Sequence, residues 1–180
     1  MKIIILLGKS GCGKGTQAEL LSKKFSLAYI GSGNLLRERA LKKDFTGKKL
    51  SEVMAEGGLV PTPVVSKIWL DEVEIIKNRK NLLGLVMDGN PRKMLEAYLI
   101  DEALNWYGWD KYVIAVNIRI SDKEAIWRLT KRRICKKCGE IIPFLGKFKN
   151  INKCPECNGE LIERNDDKRR PIWNFSSFNG

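Results

Sequence analysis

The chain has 180 residues, 43% of them hydrophobic and 30% charged, which suits one ordinary domain with a small insertion and excludes a disordered or fibrous chain. Lys and Arg number 33 against 21 Asp and Glu, a net charge of +12, which favours anionic partners such as nucleotides, nucleic acid or a membrane surface. No apolar run approaches the roughly 18 residues of a membrane span, and Met1-Lys2 leads into a strand-length run rather than a secretory signal. The expectation is a soluble cytoplasmic protein whose five Cys residues are ligands or free thiols rather than disulfides.

In chain order, Ile3 to Leu7 reads as a buried parallel strand ended by Gly8. Thr16 to Phe25 has Ala18, Leu20, Leu21 and Phe25 on helical spacing. Leu27 to Ile30 is a short strand. Asn34 to Lys43 and Gly47 to Glu56 are helices, and Gly57 to Pro61 is a loop. Pro63 to Lys80 is an amphipathic helix with Val64, Val65, Ile68, Trp69, Val73 and Ile76 inward. Leu83 to Met87 is a strand ended by Asp88-Gly89-Asn90-Pro91, and a helix follows from Lys93 to Trp106. Tyr112 to Ile118 is expected to be another buried strand. Ser121, with Glu124 three residues later, caps a helix running to about Arg133. Strands alternating with helices predict an α/β fold, a doubly wound parallel sheet with helices on both faces. The periodicity stops between Cys135 and Cys157, which reads as an inserted lobe.

The motif Gly8-Lys9-Ser10-Gly11-Cys12-Gly13-Lys14-Gly15-Thr16 lies between a predicted strand and a predicted helix, the context that makes it a phosphate-binding loop. Its glycines let backbone N–H groups converge on phosphate oxygens, and the helix start adds a positive dipole end. Lys14 supplies a mobile charge for the β- and γ-phosphates of ATP. Thr16 offers a hydroxyl to phosphate or Mg²⁺, and Cys12 reads as a small filling side chain within the cradle.

Cys135-Lys136-Lys137-Cys138 and Cys154-Pro155-Glu156-Cys157 are two Cys-x-x-Cys knuckles separated by 15 residues, a spacing that points to tetrahedral Zn²⁺. The expected task is structural, because so small a lobe buries too little core to hold its own shape. Free thiols, and a zinc ribbon that reads nucleic acid, are the other readings; no aromatic stacking pattern supports the second.

The loop ends in Gly-Lys-Gly-Thr-Gln, and with that detail the chain resembles the adenylate kinases from Met1 to about Lys168. Gly31-Ser32-Gly33-Asn34-Leu35-Leu36-Arg37 resembles the segment that implies Arg37 on the phosphate of AMP and Ser32 at its base, with Gly33 also binding AMP. Gly57 to Pro61 resembles the loop that sets Leu59 and Val60 against the adenine. Asp88-Gly89-Asn90-Pro91-Arg92 resembles Asp-Gly-Phe-Pro-Arg. It implies Mg²⁺ held through water by Asp88 and AMP contacted by Gly89 and Arg92. Arg128 to Arg133 and Arg164-Asn165-Asp166-Asp167 resemble the segments that imply Arg128 on the ATP base, Arg132 on the transferred phosphates and Arg164 in the transition state.

The resemblance implies transfer of the γ-phosphoryl of MgATP to AMP, giving two ADP, on a P-loop core spanning 1–30 and 81–133. Residues 31–62 would form the monophosphate-binding insert, with the helix 63–80 returning to the core. Residues 134–167 would form a zinc lid that excludes water. The chain carries no His, and none is needed, since the acceptor phosphate is already anionic. A kinase for another monophosphate, or a nucleotide- or RNA-binding protein with little activity, are the competing functions. Nucleic acid is the less favoured partner, and a membrane is not expected.

Four positions depart from the pattern. Ser10 replaces Pro, Asn90 replaces Phe, and Glu96 stands where a Gln would read the adenine edge. A carboxylate accepts from an amino group but does not donate to a ring nitrogen, so base preference is left open there. Fourth, residues 168–180 read Lys-Arg-Arg-Pro-Ile-Trp-Asn-Phe and onward, where the family continues with a helix carrying another Arg, a strand and a helix. Phe175 falls at the place of that Arg. The expectation is a monomer of reduced stability, or one prone to self-association.

Overall fold

The computed structural model describes residues 1–163. Its central sheet holds β1 (Lys2–Leu7), β2 (Ala28–Gly31), β3 (Gly84–Asp88) and β4 (Val113–Asn117) in the order β2-β3-β1-β4. Every pairing is parallel, with Leu6 opposite Asp88 and Val116 opposite Leu6 on the other side. Parallel neighbours need crossover connections, and α1 (Lys14–Phe25), α2 (Ser32–Ala40), α3 (Phe45–Ala55), α4 (Thr62–Lys77) and α5 (Met94–Trp106) supply them.

The pleat sorts the strand residues onto two faces. Ile3, Ile5, Leu85 and Met87 pack with Trp69, Val73 and Ile76 of α4 and with Ile100 and Leu104 of α5. Leu6 and Val86 pack with Ala18 of α1 on the opposite face. Covering both faces explains why the strands read as unbroken apolar runs, and it gives the expected doubly wound fold. A third cluster joins Leu36 of α2, Leu50 of α3, Val65 of α4 and Val60 in the loop before it. Leu85 is completely buried in the central strand pair. Leu85→Ala should therefore cost about 2–5 kcal/mol of stability, read from denaturant unfolding. A loss below about 1 kcal/mol would mean that this layer is not packed as described.

One expectation fails here. The strand read as buried, β4, is exposed at all five positions, with Val113 at 37%, Ile114 at 52% and Val116 at 41%. It pairs with β1 on one side only. On α1, Leu20 and Phe25 are exposed at 54% and 51%, and only Ala18 is buried. In both places the composition is apolar, but among the described residues no neighbouring element covers the side chains.

Residues Met1–Gly8, Gly13–Met54 and Leu59–Arg119 form one compact unit; Lys9–Cys12, Ala55–Gly58 and residues 120–163 form another. The second unit contains α6 (Asp122–Lys131), opened by the Ser121 side chain accepting from the Glu124 N–H at 3.1 Å as the capping pattern predicts. A small antiparallel sheet follows, β6-β5-β7, from β5 (Arg133–Cys135), β6 (Ile141–Ile142) and β7 (Leu161–Glu163). Strands this short are not stable alone. The Arg133 guanidinium ties them to the intervening loop by donating to the carbonyls of Ile151 at 2.7 Å and Phe148 at 3.2 Å. Among the described residues no helix is long and apolar enough to cross a membrane.

Candidate phosphate site and thiol metal centre

The chain leaves β1 at Gly8 and enters α1 at Lys14 through backbone that only glycine adopts without strain, φ being +85° at Gly11 and +96° at Gly13. A side chain at Gly11 would also collide: its Cβ would lie 2.8 Å from the Ala125 carbonyl oxygen of α6. The Cys12 N–H closes the turn onto the Lys9 carbonyl at 3.2 Å, Cys12 is buried, and Lys9 pairs with Asp122. Gly13 caps α1 with no side-chain hydrogen bond, and the first turn carries no acidic residue. The helix start therefore keeps N–H donors and a positive dipole end for an anion. Lys14 Nζ donates to the Gly8 carbonyl at 2.6 Å, so its charge lies along the loop.

The β1–β3 register sets Asp88 beside this loop. A Cβ on Gly15 would stand 3.4 Å from Asp88 Oδ2, while Asp88 Oδ1 is buried with no hydrogen-bond partner among the described residues. Burial raises the Asp88 pKa above the ordinary carboxylate value, and the charges of Lys14, Arg92 and Arg37 act against that rise. Three cations thus converge on one buried carboxylate, a combination that marks functional sites more often than structural ones.

The raised pKa has a measurable sign. The unfolded chain ionises Asp88 near pH 4, whereas the folded chain holds that proton to higher pH. Stability from this group falls as pH rises from about 4 through the raised value, then levels off. Asp88→Asn should remove that decline and melt above the wild type at pH 7. A variant melting below the wild type at pH 7 would contradict this account.

Around Asp88 lie residues that the sequence placed at the monophosphate. The Arg37 guanidinium packs over Gly33, whose Cβ would be 3.3 Å from it, and Arg37 donates to the Asn34 side chain. Gly89 has φ +86°, with Ser32 Cβ 3.4 Å from where its own Cβ would be and an Arg92 nitrogen at 3.6 Å. Arg92 Nε donates to the Gly89 carbonyl at 2.9 Å, and its backbone N–H donates to Glu96 Oε2 at 2.6 Å. The structure therefore brings Lys14, Gly15, Ser32, Gly33, Arg37, Asp88, Gly89, Arg92 and Glu96 into one neighbourhood at the carboxyl ends of β1 to β3. Ligands of open α/β sheets bind at that edge. Thr16 lies exposed on the first turn of α1. Leu59 is half-exposed, and Val60 is buried with Leu36, Leu50 and Val65.

Sequence reasoning missed a crevice lined by Ser32, Leu35, Leu36, Val65, Ile68, Trp69 and Asn90. In the sequence Asn90 reads only as a missing aromatic and Trp69 only as an inward helix position. Among the described residues Ser32 Oγ and Trp69 Nε1, both buried, have no hydrogen-bond partner.

The remaining Arg residues belong to the second unit. Arg128 pairs with Glu124 one turn back at 2.6 Å, and Arg132 follows the last turn of α6. Arg164 lies outside the described residues.

In the same unit the four Sγ atoms of Cys135, Cys138, Cys154 and Cys157 all lie within 4.8 Å of one another. Cys135 and Cys157 are 3.4 Å apart, and Cys138 and Cys154 3.6 Å, too long for disulfides. A tetrahedron of Zn–S bonds of about 2.3 Å has edges of about 3.8 Å, so the donor set and spacing suit zinc. The Cys138 N–H, 3.5 Å from Cys135 Sγ, leads the influences that lower the Cys135 thiol to about 6 and favour the thiolate a metal requires. Gly159 admits this packing, since a Cβ there would stand 2.8 Å from Cys135 Sγ.

A family model for adenylate kinase matches residues 6–174 of the chain. The adenylate kinase of Caldicellulosiruptor bescii is 39% identical over 176 residues, 94% of this chain and 77% of that protein. That of Archaeoglobus fulgidus is 36% identical over 170 residues, 94% of this chain and 76% of that protein. That of Acetivibrio thermocellus is 36% identical over 176 residues, 94% of this chain and 76% of that protein.

Proposed function

The chain belongs to the adenylate kinase family, phosphotransferases of the nucleoside monophosphate kinase type, and from that premise we propose that it transfers the γ-phosphoryl of MgATP reversibly to AMP, giving two ADP. The observation that carries this reading is the meeting of a glycine-built loop with Lys14, Arg37 and Arg92 around Asp88. Phosphoryl transfer asks little covalent chemistry of a protein. It asks for two phosphates held in line and for positive charge around spreading negative charge.

In this assignment the N–H groups of Gly11 to Thr16, Cys12 and Gly13 included, cradle the donor phosphates. Lys14 leaves the Gly8 carbonyl to meet the transferring oxygens. Arg37 and Arg92 grip the acceptor phosphate, which their planar forks suit. Ser32, Gly33, Leu59, Val60, Gly89 and Glu96 line the acceptor. Arg128, Arg132 and Arg164 serve the donor and the transferred group. Asp88, with its unpartnered oxygen, and Thr16 would hold hydrated Mg²⁺, which supplies charge neutralisation for the phosphates. Residues 31–62 act as the acceptor insert and 134–167 as the lid, its shape held by zinc on the four thiols.

The test is ADP production from ATP and AMP, with ATP binding measured in parallel. Turnover supports the assignment; intact ATP binding with no turnover of any monophosphate would overturn it in favour of a non-catalytic nucleotide-binding protein.

A further inference from the structure

We propose that the turn between α2 and α3 docks on an anionic lipid surface, with Leu41 and Phe45 entering the interface and the lysines beside them meeting anionic headgroups. The two apolar side chains are 82% and 83% exposed, so among the described residues almost nothing covers them. Apolar side chains scattered singly on a surface are ordinary, but these two emerge from one tight turn. That turn is braced. The Asp44 carboxylate accepts two hydrogen bonds from the Arg39 guanidinium, each at 2.9 Å, and a third from the Gly47 N–H at 2.8 Å. The Leu41 and Lys42 N–H groups donate to the Glu38 and Arg39 carbonyls. The closure needs glycine at 47, where a Cβ would stand 1.9 Å from the Lys42 carbonyl oxygen. Holding two large apolar side chains outward in this way gains the fold nothing, and only a partner takes them out of water.

The charges around the turn select the partner. Residues 41–49 carry Lys42, Lys43, Lys48 and Lys49 against a single acid, Asp44, which is already paired with Arg39. Helical spacing sets Phe45, Lys48, Lys49 and Glu52 on one face of α3, while Gly47 and Leu50 are buried on another. Glu52 pairs with Lys49 at 2.9 Å, and Lys42, Lys43 and Lys48 are exposed. An anionic bilayer offers negative headgroups to the lysines and an apolar layer beneath them to Leu41 and Phe45, and it asks for no shaped pocket. Other occupants fit less well. Two side chains fall far short of the roughly 800 Å² that each partner commits to a stable protein interface. A second copy would set like charges against one another. Single-stranded nucleic acid stacks its bases on successive aromatic rings, and here one ring stands beside a leucine. Sequence pattern alone does not point to such docking, because the exposure of Leu41 and Phe45 is set by the folded turn and no membrane span is involved.

The experiment is co-sedimentation of the whole chain with vesicles of phosphatidylcholine alone or with about 30 mol% phosphatidylserine. The wild type should bind the anionic vesicles at least about tenfold more tightly than the neutral ones, and should lose that binding as salt rises to about 0.5 M. Leu41→Ser with Phe45→Ser should weaken binding by about tenfold or more. Neither side chain belongs to the apolar cluster beneath the turn, so the melting temperature should stay unchanged. Lys42→Gln with Lys43→Gln should also weaken it by about tenfold or more, whereas the charge-matched pair Lys23→Gln with Lys24→Gln on α1 should leave it within about twofold. The two lysine pairs decide the matter even where the serine variant folds poorly. Equal losses from both pairs, or binding indifferent to a folded serine variant, overturn the proposal in favour of general basicity. No binding to anionic vesicles at low salt overturns it outright. Binding of poly(U) in place of vesicles, lost on the same turn substitutions, overturns it in favour of a nucleic-acid surface. None of these outcomes bears on the kinase assignment, which ADP production tests separately.

Discussion

Lys14→Met should lower kcat by about a thousandfold while the protein still folds, the scale seen when a preorganised charge or donor is removed from a developing anion. The side chain donates to the Gly8 carbonyl at 2.6 Å and makes no part of the apolar clusters. Its loss should therefore be felt far more in transfer than in melting temperature. Lys14 is also one of the charges that restrain the rise in the Asp88 pKa. Without it Asp88 keeps its proton to higher pH, and the pH-dependent fall in stability should extend upward. Lys14→Arg should not restore activity, because the guanidinium is larger and delivers its charge as a planar fork rather than a point. A Lys14→Met enzyme within tenfold of wild type would remove this residue from the transfer step.

Zinc analysis of freshly purified protein should give about one equivalent, and Cys154→Ser should lose it. Cys154 is buried and its sulfur lies 3.6 Å from that of Cys138. The surrounding sheet consists of strands of three, two and three residues, with few other buried apolar side chains. Metal binding in such a lobe is inseparable from its folding. The variant, or the wild type treated with a chelator, should melt roughly 5–15 °C lower if a few kcal/mol are lost. Metal content well below half an equivalent, with an unchanged melt on chelation, would make the thiols structural cysteines instead.

The features most legible in the sequence were those set by local spacing. The glycine positions of residues 8–15 follow from backbone sterics and from Cβ collisions, and the knuckles follow from what four thiolates around one ion require. The alternation between the two faces of β1 and β3 was also implicit, because strands covered twice must be apolar throughout. What local pattern cannot say is which neighbour is present. The run from Val113 to Val116 looks the same whether covered or bare, and among the described residues nothing covers it. The crevice of Ser32, Trp69 and Asn90 was hidden for the same reason: its members come from three places in the chain and share no spacing.

The order β2-β3-β1-β4 also governs when the site comes into existence. Its ladders join distant stretches of chain: Ala28 meets Leu85, Lys2 meets Gly84, and Ile3 meets Val113. Contacts so remote in sequence carry a large closure entropy and form late. A nascent chain that has reached only Lys80 already contains the whole phosphate loop, yet it lacks β3, the strand that brings Asp88 beside that loop. During synthesis, then, the loop is a sequence before it is a site, and nucleotide can act as a folding ligand only after β3 has emerged and paired.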